Sequence, residues 1–128
     1  TTVPTSSSGR VGDHPLVRLV TGVVVGSGER YRDLLAASER TLGQREFSAH
    51  RFRSVSTLAG EPVLLIDDTW TSGAHAHGAA AALKAAGSGP VAVVAIGRWY
   101  HPDDAVNERV EHHLRHRRWT WDECMLDD

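Results

Sequence analysis

Cysteine is almost absent from this chain. Cys124 stands alone, so no internal disulfide can form. That suits a reducing compartment, and a cytoplasmic location is the expectation. Lysine is equally scarce: Lys84 is the only one, and arginine supplies the rest of the positive charge. No apolar run approaches the roughly 20 residues needed to span a bilayer. The opening residues, TTVPTSSSGR, include no apolar segment of signal-peptide type and no initiator methionine. An upstream portion, processed away or carried by another chain, is therefore expected. Charge of one sign is not in excess. A net charge of −2 gives no general pull toward nucleic acid or anionic membrane. What remains is 128 residues, 41% hydrophobic and 23% charged, the composition of one globular domain with one core.

Pattern then divides the chain. Thr1 to Pro4 reads as a short strand, and Thr5 to Arg10 as a loop rich in serine. His14 to Val20 reads as a helical turn. VTGVVVGSG, residues 20 to 28, reads as a β-branched strand closed by glycines. Tyr31, Leu34, Leu35 and Leu42 keep a helical spacing between Glu29 and Leu42. Arg40 to Arg51 is polar and basic, which predicts an exposed loop. Phe52 to Val55 predicts a strand. VLLID, residues 63 to 67, and VAVVAIG, residues 91 to 97, carry apolar residues on both faces, the mark of parallel strands covered on both sides. Between them, Ala76 to Ala86 is a strong helix former, with Gly87 placed to end it. Asp103 is a natural cap for a helix to about Trp119, with Val106, Val110 and Leu114 on one face. Arginines 115, 117 and 118 would complement its dipole. The alternation predicts an α/β fold with a parallel sheet.

The chemistry concentrates in residues 63 to 75, VLLIDDTWTSGAH. An apolar strand runs into Asp67 and Asp68, then into a turn of hydroxyls and glycine before the alanine-rich helix. In an open parallel sheet, ligands sit beyond the carboxyl ends of the strands. A helix N-terminus offers unpaired N–H groups that suit a phosphate, and Thr71, Ser72 and Gly73 add hydroxyls and close backbone approach. The carboxylates repel a phosphate, but they accept from sugar hydroxyls and ligate Mg²⁺ directly or through water. Together these groups describe a ligand with a hydroxyl-rich part beside a phosphate, such as a phosphorylated ribose. The plainer role for two aspartates there is to cap the helix.

VLLIDDTWTSGA closely resembles the signature of type I phosphoribosyltransferases, which bind 5-phosphoribosyl-1-pyrophosphate (PRPP). The resemblance is strongest over residues 63 to 98, and the VPTSSSGR and WTWDEC segments resemble the branch related to competence protein F and amidophosphoribosyltransferase-like proteins. It implies a Rossmann-like parallel-sheet core, with the base-binding hood reduced or missing. It implies catalytic carboxylates at Asp67 and Asp68 that hold the ribose hydroxyls, and a 5′-phosphate cradle at Thr69, Trp70, Thr71, Ser72, Gly73, Ala74 and His75. It also implies pyrophosphate contacts from Ser6, Ser7, Ser8, Gly9 and Arg10, with Mg²⁺ bridging pyrophosphate and ribose. A basic loop at 40–51 would close over the site. The partners would be PRPP, a nitrogen acceptor and a second chain helping to complete so small a site. His75 stands where the family commonly has Thr or Ser, and Trp70 is bulky for its place. A non-catalytic PRPP- or nucleotide-sensing module of the same fold is the alternative expectation.

Other signals have simpler explanations. His112 and His116 share a helical face at metal-binding spacing, without a third ligand evident. The cluster HHLRHRRW fits a favourable helix end as well as an acidic partner. Trp99 and Tyr100 follow a strand end, where contact with a base is an option beside ordinary packing. A phospho-receiver reading needs a lysine at a late strand end, whereas Lys84 falls within a helix.

Overall fold

A computed structural model of the chain describes residues 1–5, 14–38 and 46–99, together with 111, 112, 115, 116, 118, 120 and 122. The apolar run after Pro62 forms strand β3, Val63–Trp70. Helix α2, Ala74–Ala85, follows, and then strand β4, Val91–Arg98. β3 and β4 are parallel, in register from Val63 opposite Val91 to Trp70 opposite Arg98. On the other side of β3, Thr2 forms a parallel bridge to Ile66. Val3 N–H donates to the Ile66 carbonyl at 2.9 Å, and Ile66 N–H to the Thr1 carbonyl at 2.9 Å. β3 is therefore paired on both edges.

Alanine loses no side-chain entropy in a helix, so α2 forms readily between its two glycines. Gly87, at φ +97°, ends it. A Cβ at Gly87 would lie 2.5 Å from the Leu58 carbonyl oxygen, so the turn needs glycine twice over. Lys84 Nζ donates to the Gly89 carbonyl at 2.9 Å and so secures the turn after α2. The only lysine of the chain is thus structural.

One face of β3 carries the core. Val63 and Leu65 pack against Ala79, Ala82 and Leu83 of α2. Phe52 joins them from β2 (Phe52–Ser54), and Leu35 from β1 (Leu35–Ala37). β1 and β2 form an antiparallel pair, Leu35 opposite Ser54 and Ala37 opposite Phe52. Leu65 and Leu83 have no exposed surface, and burying each contributes about 2 kcal/mol.

Several expectations are corrected. The segment 20–28 is not a strand. Val20 belongs to helix α1, Pro15–Gly22, where Leu16 and Val20 share the buried face four residues apart. The helix starts where Leu16 N–H donates to His14 Nδ1 at 3.2 Å, with proline in the first turn. Val23, Val24 and Val25 follow in an exposed turn, and a short 3₁₀ turn occupies Gly28–Arg30. The helix expected at 29–42 is replaced by β1, because pairing with β2 recruits Leu35; Leu42 lies outside the described residues. The sheet is also not covered on both faces. Leu64 is 52% and Ile96 57% exposed, so among the described residues α2 shields one side and the other is covered only in part. The described residues therefore form a mixed α/β structure with a small parallel sheet and two helices. None of their helices is long and apolar enough to cross a membrane.

The chain divides into two compact units, Thr1–Arg98 and Trp99–Asp128. In the second unit, Glu111, His112, Arg115 and His116 are helical. Glu111 pairs with Arg115, and the rings of His112 and His116 lie 4.5 Å apart. Asp103, Val106, Val110 and Leu114 lie outside the described residues.

Candidate functional site

β3 does not stop at the acid pair. It continues to Trp70, so Asp67 and Asp68 sit within the strand. Successive strand residues point to opposite faces. The burial pattern obeys that rule: Asp67 is 8% exposed, on the face shared with Leu65 and α2, whereas Asp68 is exposed. Burial, and then the adjacent Asp68 charge, raises the Asp67 carboxyl above the usual carboxylate range. His75 and the backbone N–H groups of Asp68 and Thr69 oppose that shift.

Thr69, Thr71 and Ser72 are exposed around the turn, and Ala74 N–H donates to Ser72 Oγ at 3.4 Å. Gly73 has φ +76° and precedes α2 without a side-chain cap. A Cβ on Gly73 would lie 2.5 Å from Trp70 Cζ2, so the indole rests directly on the turn. Its ring meets His77 edge-on, with centroids 5.6 Å apart. Because Gly73 has no side chain, the first-turn N–H groups of α2 gain no help from its position. A shallow cavity of about 450 Å³ opens there, lined by Phe47, Ser72, Ala74 and His77.

Arg51 is the residue that sequence reasoning missed. It was expected in an exposed loop, yet it is 7% exposed. Its Nη1 lies 3.2 Å from His75 Nε2, and its Nη2 donates to the Glu46 carbonyl at 2.7 Å. Phe52 packs its ring 6.1 Å from that of His75. Burial, and then the Arg51 charge, lowers the His75 pKa below its ordinary value. His75 thus joins β2, β3 and α2 at one corner. The available signal was the position of Arg51 directly before an apolar strand residue.

The structure thus brings together Asp67, Thr69, Trp70, Thr71, Ser72, Gly73, Ala74 and His75, with Asp68 on the other side of the strand. Ser6, Ser7, Ser8, Gly9 and Arg10 lie outside the described residues, as do 40–45 of the expected closing loop. Among the described residues no group of three His, Cys, Asp or Glu side chains could hold a metal ion. Asp67 and Asp68 diverge, so they do not form a two-carboxylate chelate. The described residues do not by themselves build a Mg²⁺ site. Trp99 is exposed, and Tyr100 is outside the described residues.

No protein-family model, no curated protein and no solved structure matches this chain.

Proposed function

We propose that this chain is a pentosyltransferase with a type I phosphoribosyltransferase-like core and no full hood. It binds PRPP as its Mg²⁺ complex and passes the 5-phosphoribosyl group to a nitrogen acceptor. One observation carries the reading: an acid pair on β3 stands directly ahead of a glycine-started helix whose first turn lacks a side-chain cap at Gly73. Hydroxyl acceptors and anion donors thereby lie side by side, as a phosphorylated ribose requires.

Each residue then has a part. Asp68, exposed, accepts from a ribose hydroxyl. Asp67, nearly buried, keeps negative charge close to the sugar, where positive charge develops on the ring as the C1–oxygen bond to pyrophosphate breaks. The hydroxyls of Thr71 and Ser72 and the N–H groups of Gly73, Ala74 and His75 hold the 5′-phosphate. The acceptor nitrogen forms its bond to C1, pyrophosphate departs, and the acceptor proton passes to water. Mg²⁺ enters as counter-ion of the pyrophosphate, as part of the substrate, and the protein supplies positioning.

The burial of Asp67 leaves one open carboxylate, which suits binding as well as turnover. A PRPP- or nucleotide-sensing module is therefore the second reading. Pyrophosphate release from PRPP with a panel of bases and amines separates the two. Release with one acceptor supports the transferase; binding without release supports the sensor. Neither binding nor release overturns both.

A further inference from the structure

Gly78 lies three residues beyond His75 in α2. A Cβ there would approach the Ser48 carbonyl oxygen to 2.9 Å and the Arg51 Cβ to 3.5 Å. The helix therefore docks closely on the segment before β2 because this side chain is missing. That docking brings the buried Arg51 to the first turn of α2, with Nη1 3.2 Å from His75 Nε2. A guanidinium has donors and no acceptor. Nε2 must then be the acceptor, and a neutral imidazole accepting at Nε2 carries its proton on Nδ1. The second anchor of Arg51, Nη2 to the Glu46 carbonyl at 2.7 Å, ties the 46–51 segment to the same point.

We propose that Arg51 is a positioning residue of the anion site: it fixes His75 as the neutral Nδ1–H tautomer and pins segment 46–51 against the start of α2. The inference rests on reading this corner as a phosphate cradle. It explains how a histidine serves where a small hydroxyl would be expected. A phosphate ester offers acceptors, so the ring must meet it with N–H and not with a lone pair. Left free, imidazole samples both tautomers, and one of them presents the wrong face. Arg51 removes that choice without entering the ligand's own contact shell. On that reading the His75 ring donates to the ligand through Nδ1, and Arg51 acts through it.

The test uses the full chain with ¹⁵N-labelled histidine. Ring ¹⁵N–¹H correlation spectra at pH 7.5 are expected to show His75 protonated at Nδ1 and bare at Nε2. Arg51→Met is expected to lose that preference and to bind ribose 5-phosphate about tenfold more weakly by calorimetry. Arg51→Lys is expected to restore part of both, since an ammonium also donates. Protonation of wild-type His75 at Nε2 overturns the proposal. So does an Arg51→Met protein with tautomer and affinity unchanged. Should Arg51→Met fail to fold by circular dichroism, the wild-type spectrum and Arg51→Lys decide. If wild-type protein shows the expected tautomer but ignores ribose 5-phosphate, the phosphate reading falls and the assignment of the ring to Arg51 stands.

Discussion

Residues 63 to 98 and residues 15 to 54 obey different rules. In the first region each element is specified by its own residues: an apolar run, an alanine-rich helix, a glycine at each end. In the second, the apolar residues are similar in kind, but their structure depends on which neighbours, near or distant, they are buried with. Leu35 becomes a strand residue because Ser54 lies opposite it. Val20 turns helical because its burial with Leu16 satisfies a helical period. The comparison teaches that composition decides structure only where punctuation is strong, and that tertiary pairing decides it elsewhere.

The sharpest break in that comparison is in the core. Leu65→Ala removes a side chain with no exposed surface and is expected to cost about 2–5 kcal/mol in urea unfolding. Val25→Ala, in a chain turn where Val25 is 99% exposed, is expected to change stability by less than about 0.5 kcal/mol. Equal losses would contradict the packing described.

Next comes the turn at the site. Gly73→Ala forces an L side chain into φ +76° and against Trp70, so a cost of about 1–3 kcal/mol is expected. Circular dichroism melting together with ribose 5-phosphate titration would read both stability and binding. A wild-type melting point would show that the turn tolerates a Cβ.

The pH dependence is subtler. The folded pKa of His75 is lowered by burial and then by Arg51, below its ordinary 6.5. Below about that value the unfolded chain binds the proton more readily, so stability is expected to fall as pH drops through this window. Asp67 runs the other way: its folded pKa is raised by burial and then by Asp68. The folded state holds that proton more tightly, so stability falls as pH rises through the window above the ordinary carboxylate value. Asp67→Asn is therefore expected to raise the urea midpoint at pH 7. His75→Phe should flatten the slope near pH 6. A lower midpoint for Asp67→Asn would mean that the carboxylate is held by favourable contacts. The smallest effect is expected on the open sheet face, where Ile96→Lys should change stability by less than about 0.5 kcal/mol.

The βαβ unit was legible because VLLIDD, the alanine run and VAVVAIG each carry a local signal. Full coverage of its sheet was not, because apolar residues on both faces of β4 did not require a covering layer on each side. The strand-to-helix turn between Asp67 and His75 was legible from residue order. The separation of the two carboxylates was not, because it follows from β3 extending to Trp70. The contact from Arg51 to His75 joins residues 24 apart in sequence, and only the docking of α2 on the segment before β2 creates it.

Calorimetry with PRPP and Mg²⁺ on wild type, Asp68→Asn and the Asp67→Asn/Asp68→Asn pair tests the account most directly. Wild type is expected to bind, Asp68→Asn to bind at least tenfold more weakly, and the double variant to give no heat while remaining folded. Equal affinity for all three would contradict the claim that these carboxylates grip the sugar.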